Sequence, residues 1–142
     1  MNKSLQLLLV IALAGLASPA MSFAAPKGND PLVVSHGEEI DLAGYLVPGK
    51  TTIVDFTSQY CGPCQSYTEP LHKLHQKRAD VAVVKVDINR PGIQKIDWKS
   101  PVAGQYGLRS IPQFKVFGPG GKLLAEGKEA RAMVDRWIKQ NR

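Results

Sequence analysis

The stretch Val54-Asp55-Phe56-Thr57-Ser58-Gln59-Tyr60-Cys61-Gly62-Pro63-Cys64 carries the reading of the fold. Thr51 to Thr57 is β-branched and apolar, the composition of a strand buried on both faces. Asp55 stands in its middle. Ser58 or Gln59 begins a loop, and Cys61-Gly62-Pro63-Cys64 opens a helix. Pro63 suits the first turn, where its missing N–H costs nothing. Tyr67, Leu71, Leu74 and Arg78 continue at helical spacing, and Pro70 predicts a kink one turn in. Val81 to Asp87 reads as a second buried strand, again with one charge inside it, Lys85.

Outward from this centre, Leu32 to Val34 reads as an edge strand, and Ala25 to Asp30 as a mobile polar leader. Asn89-Arg90-Pro91-Gly92 is a turn, and Ile93 to Pro101 an irregular segment containing Trp98. Val102 to Tyr106 is a brief helix stopped by Gly107. Gln113 to Phe117 and Lys122 to Glu126 form a hairpin around Gly118-Pro119-Gly120-Gly121. Ala130, Met133, Val134, Trp137 and Ile138 mark one face of a final helix over Glu129 to Gln140. Strands separated by helices pair in parallel, and the terminal hairpin adds antiparallel pairs. The predicted class is α/β: a single domain with a central mixed β-sheet and helices on both faces.

The chain has 142 residues, enough for one domain. Apolar residues are 44% and charged residues 21%, which argues against disorder, collagen and coiled coil. Residues 1–24 differ from the rest. Lys3 is their only charge, Leu5 to Leu16 is apolar apart from Gln6 and Gly15, and Ser22-Phe23-Ala24 offers small residues for cleavage. This is the pattern of a Sec-type signal peptide. The apolar core spans about 12 residues, short of the about 20 that cross a bilayer, which disfavours an uncleaved anchor. The expected organisation is a signal peptide over 1–24, a leader with a possible edge strand over 25–37, and the domain proper over 38–142. The expected location is the periplasm. Positive charge is scattered, with no basic run, so no nucleic-acid partner is expected.

Two cysteines, three residues apart, exclude a multi-bridge scaffold and a four-cysteine metal site. At a helix N-terminus, free N–H groups and the helix dipole favour a negative charge on Cys61. Its thiol is expected to titrate below the free value of about 8.5. Cys64 lies one turn on and is expected to be the more buried. An exposed nucleophile with a resolving partner behind it is the arrangement thiol–disulfide exchange requires. Three other readings compete. A purely structural bridge closes too short a loop to constrain the unfolded chain much. Zinc held with His72 and His75 would need ligands strung along one continuous helix. A c-type haem needs His directly after Cys64, where Gln65 stands. No metal or organic cofactor is expected.

Taken together, these residues resemble the thioredoxin superfamily. Asp55 lies six residues before Cys61, as the acid of that family does. Lys85 falls where thioredoxins carry a lysine in the next strand. Tyr106-Gly107-Leu108-Arg109-Ser110-Ile111-Pro112 is similar to the segment ending in the family's cis-proline, and Phe117, Gly120-Gly121 and the last helix follow in order. The likeness covers residues 38–142. Gly37-Glu38-Glu39-Ile40-Asp41-Leu42 resembles the exported thioredoxin-like proteins of bacteria. The resemblance implies a thioredoxin fold and a thiol:disulfide oxidoreductase, with Cys61 as nucleophile and Cys64 as resolving cysteine. Asp55, desolvated and with a raised pKa, would exchange a proton with Cys64 near Lys85. A plain buried Asp55–Lys85 ion pair is the other reading of those two. A cis Ile111–Pro112 bond would set the Ile111 backbone beside Cys61, open to an extended substrate strand. Tyr60, Gly62, Pro63, Ile111 and Pro112 are then the expected substrate-binding residues.

The departures are specific. Tyr60 stands where thioredoxins usually have Trp, Thr57 replaces an aromatic, Pro70 comes one residue late, and Asn89 to Tyr106 is longer than the family's loop. Trp98 is expected to be a packing anchor for that insertion, or else a partner-contact surface. His36, His72 and His75 are expected on the surface, and Tyr67 and Trp137 in the core. The expected function is reduction of protein disulfides by a monomer that draws electrons from a membrane-bound donor. Disulfide oxidation or isomerisation, or a redox-gated binding module without turnover, are the alternatives.

Overall fold

The computed structural model describes residues 27–142. The expected signal peptide, residues 1–24, lies outside them. The order of elements is β1 (Leu32–Val34), a 3-10 turn (Leu42–Tyr45), β2 (Thr51–Thr57), α1 (Gly62–Lys77), β3 (Val81–Asp87), α2 (Pro101–Gln105), β4 (Gln113–Phe117), β5 (Leu123–Glu126) and α3 (Gly127–Gln140). The five strands form one sheet in the order β1-β3-β2-β4-β5. β3 runs parallel to both β1 and β2, while β4 runs antiparallel to β2 and β5.

β2 is central and buried on both faces, which suits its β-branched composition. Side chains alternate across it. Val54 and Phe56 join Val84, Val86 and Val102 in a core under α2 and the 3-10 turn. Ile53 joins Val81, Val83, Phe114 and Val116 on the other face, under Leu71 and Leu74 of α1 and Ala130 and Val134 of α3. Helices therefore cover both faces, as expected. Each fully buried aliphatic or aromatic side chain contributes about 1.5–3 kcal/mol.

Pro70 lies inside α1, which continues past it to Lys77. Three local features differ from the sequence reading. α3 starts at Gly127 rather than Glu129, because Gly127 adopts φ of 59° and turns the chain directly from β5 into the helix. The leader is not free: Lys27 Nζ donates to the Arg78 carbonyl, His72 meets Asp30 at 2.7 Å, and His75 Nε2 meets the Gly28 carbonyl at 2.9 Å. His75 is also not a surface residue. It is 2% exposed, and its Nδ1 accepts a hydrogen bond from Val83 N at 2.9 Å. The ring closes a backbone N–H of β3 that would otherwise be buried without a partner.

Candidate active site

The site forms where β2 hands over to α1. The chain leaves β2 at Thr57 and turns through Ser58, whose carbonyl accepts from Cys61 N at 3.1 Å and from Gln65 Nε2 at 3.1 Å. Cys61 is the N-cap of α1, and its sulfur accepts from Cys64 N at 3.2 Å. A sulfur here takes the place of the usual capping oxygen. Cys61 and Cys64 are joined in a disulfide.

Both cysteines are buried, at 3% and 1% exposed, which corrects the expectation of an exposed Cys61. The Ile111 carbonyl oxygen lies 3.7 Å from Cys61 Sγ. The Ile111–Pro112 peptide bond is cis. Pro112 is buried, Ile111 half-buried, and Gly62 and Pro63 are exposed beside the disulfide. Tyr60 is 39% exposed at the same rim. Asymmetry between the two cysteines therefore lies in their partners. Cys61 faces the Ile111 backbone, whereas Cys64 faces inward from the first turn of α1.

Asp55 sits on β2, on the face that α1 and α3 cover. Its Cα partners are Lys85 on β3 and Phe114 on β4. It is 1% exposed, and neither carboxylate oxygen has a hydrogen-bond partner among the described residues. Desolvation pushes its pKa from 3.8 up to about 7, and the Lys85 charge opposes the rise. Lys85 is half-buried, and no ion pair joins it to Asp55 among the described residues. The plain buried ion pair is thus not formed, and a carboxyl that neutralises near neutral pH remains. Groups tuned in this way are poised for proton transfer.

The other expected positions divide. His72 and His75 are engaged with the leader and β3, and both sulfurs are in the disulfide, so the zinc reading has no assembled donor set. Tyr67 is half-buried, packs against the Phe114 ring at a centroid distance of 5.0 Å and donates to Asp135 at 2.8 Å. Trp137 is half-buried against the same core. Trp98 is 43% exposed, which corrects its expected role as a packing anchor; Ile96 supplies that packing instead.

The sequence reading missed Ser58 and Asn89. Ser58 Oγ donates to Asn89 Oδ1 at 2.6 Å and accepts from Tyr60 N at 3.2 Å. This pair ties the turn before Cys61 to the long segment after β3. The residues lie 31 positions apart, and no spacing rule links them.

Comparisons with known proteins agree with this geometry. A family model described as Thioredoxin matches residues 43–140. An H-type thioredoxin from Fagopyrum esculentum is 34% identical over 86 residues, 61% of this chain and 61% of that protein. Protein disulfide-isomerase from Oryctolagus cuniculus is 28% identical over 139 residues, 92% of this chain but 25% of the relative. This chain thus spans less than two thirds of the length of these curated relatives. Among solved structures, a mutant thioredoxin from Halobacterium salinarum shares the fold, with a TM-score of 0.54, 23% identity, and coverage of 83% of this chain and 96% of that one.

Proposed function

This chain belongs to the thioredoxin family, and on that premise we propose that it is an exported thiol:disulfide oxidoreductase that reduces protein disulfides. One observation carries the reading. A cystine sits at the N-terminus of a helix, its first sulfur 3.7 Å from the Ile111 carbonyl, and the strand that leads into that helix carries an unpartnered buried carboxyl, Asp55.

In the reduced protein the Cys61 thiolate attacks one sulfur of a substrate disulfide. A mixed disulfide forms and the first substrate thiolate leaves. The Cys64 thiol gives its proton to the Asp55 carboxylate, and its sulfur attacks Cys61 Sγ. This forms the Cys61–Cys64 bond and releases the second substrate thiolate. Two electrons pass from the dithiol to the substrate, so a reductant must restore the dithiol. A membrane-bound dithiol donor fits an exported protein, and the apolar segment of residues 1–24 supports export to the periplasm. The Ile111 backbone, Gly62, Pro63 and Tyr60 line the groove that takes the substrate segment, and Pro112 shapes it. Lys85 limits how far the Asp55 pKa rises. The working unit is a monomer.

Equilibration with dithiothreitol tests the direction. A potential near about −270 mV marks a reductase, and one near about −120 to −180 mV marks an oxidant or isomerase and overturns the reading. Cys61→Ser should abolish insulin reduction. If insulin reduction persists, the dithiol is not the working centre.

A further inference from the structure

The segment between β3 and α2 is anchored more heavily than a connecting loop needs. Asn89 Nδ2 donates to the carbonyls of Ile93 at 3.1 Å and Lys95 at 2.6 Å, and Asn89 Oδ1 accepts from Asp97 N at 3.3 Å. Arg90 grips the Asp97 carboxylate with two donors, at 2.7 and 3.1 Å. Ser100 is buried and caps α2 through Ala103 N at 3.3 Å. Asp97 and Ser100 are thus both buried, and Trp98 between them is held outward.

The charge pattern follows from the same contacts. Asp97 is the only acid between Ile93 and Pro101, and Arg90 consumes it. Lys95 and Lys99 flank Trp98; both are exposed and form no ion pair among the described residues. The segment is tied to the turn that precedes Cys61. Tyr60 N, Ser58 Oγ, Asn89 and the Lys95 carbonyl form a continuous chain of hydrogen bonds, none longer than 3.2 Å.

We propose that residues 89–101 form a substrate-recognition shelf beside the dithiol, on which Trp98 takes an apolar side chain and Lys95 and Lys99 take carboxylates next to it. The occupant is a segment of a substrate protein that presents an acid-flanked apolar residue near its disulfide. This deepens the oxidoreductase reading and rests on it. A rigid tryptophan contributes contact area with little ordering cost, which is how binding hot spots work. Flanking charges of one sign select the partner and speed encounter.

Peptides with one internal disulfide and a neighbouring Phe test this, the Phe flanked by Glu in one and by Lys in the other. The wild-type protein is expected to reduce the Glu peptide with kcat/KM higher by about tenfold or more. Lys95→Gln with Lys99→Gln should erase that preference, and Trp98→Ala should raise KM for both peptides, with kcat, the reduction potential and the rate on a small aromatic disulfide unchanged. Equal kcat/KM for the two peptides, or a Trp98→Ala loss that also covers the small disulfide, overturns the shelf. If the wild-type protein reduces no disulfide at all, the oxidoreductase reading fails instead. The shelf is then decided by binding a cysteine-free Glu peptide to the oxidised protein. In a Trp137→Phe background, Trp98 is the sole tryptophan. A saturable change in its fluorescence that weakens with salt supports the shelf, and no change overturns it.

Discussion

The backbone N–H of Cys64 points at the sulfur of Cys61 from 3.2 Å, so the helix offers a first-turn donor to the atom that must carry charge. In the reduced protein the same donor stabilises the Cys61 thiolate. In Cys64→Ser, which keeps that backbone donor, Cys61 is expected to titrate below the free value of about 8.5. Thiolate ultraviolet absorbance against pH measures this. A value at or above the free one removes the helix terminus from the explanation.

Asp55 makes stability depend on pH. Its folded pKa of about 7 exceeds its unfolded value, so the folded state holds a proton that the unfolded state has lost. Stability therefore falls as pH rises from about 4 to 7, by on the order of 4 kcal/mol once both states are ionised. Asp55→Asn should be more stable than the wild-type protein at pH 8 and similar to it at pH 4, in guanidinium unfolding of the oxidised forms. It should also slow disulfide reduction. A stability difference independent of pH would show that ionisation is not the source.

Lys85 opposes the rise in the Asp55 pKa. Removing its charge in Lys85→Met should move the Asp55 titration upward. Carboxyl infrared or NMR titration reads the shift, and an unchanged midpoint would mean that Lys85 does not act on Asp55.

His75 works in the opposite direction. Its Nδ1 accepts from Val83 N, so the folded state needs that nitrogen unprotonated, and burial lowers its pKa. The stability it contributes is present above its unfolded value of about 6.5 and is lost as pH falls below it. His75→Phe leaves the Val83 N–H without an acceptor. It should cost about 1–3 kcal/mol at pH 8 and less at pH 5. Paired denaturation curves at the two pH values give the comparison.

Gly37 adopts φ of 88°, and a Cβ there would lie 2.6 Å from Arg90 N. Its N–H donates to the Asp87 carbonyl and its own carbonyl accepts from Val102 N. Gly37→Ala should therefore destabilise by about 2 kcal/mol or more, since strain and clash act together. A loss under half of that in urea unfolding would show that the Arg90 turn yields easily.

The strands were legible because β-branched runs need burial on both faces, and β2 and β3 fall on the residues read from sequence. Asp55 and Lys85 stood out there as charges among apolar neighbours. The cystine pair was legible from spacing and from Pro63. His75 was missed although it follows Leu71 by four residues on the buried stripe of α1, because a histidine enters a core only when its nitrogens find partners. Those partners, Val83 N and the Gly28 carbonyl, come from distant parts of the chain. The Ser58–Asn89 contact was hidden for the same reason. Trp98 was misplaced because side-chain size suggested an anchor, whereas neighbouring backbone contacts left that role to Ile96.

The Cys61–Cys64 bridge links two residues within a single turn of α1. Closing so short a loop removes comparatively little chain entropy from the unfolded state. Most of any stability difference between the oxidised and reduced domain therefore comes from the folded-state contacts of the two sulfurs. A change at the helix start that retunes the couple shifts the relative stability of the two redox forms by the same free energy. A remote substitution that touches neither sulfur moves both forms together and leaves the couple where it was.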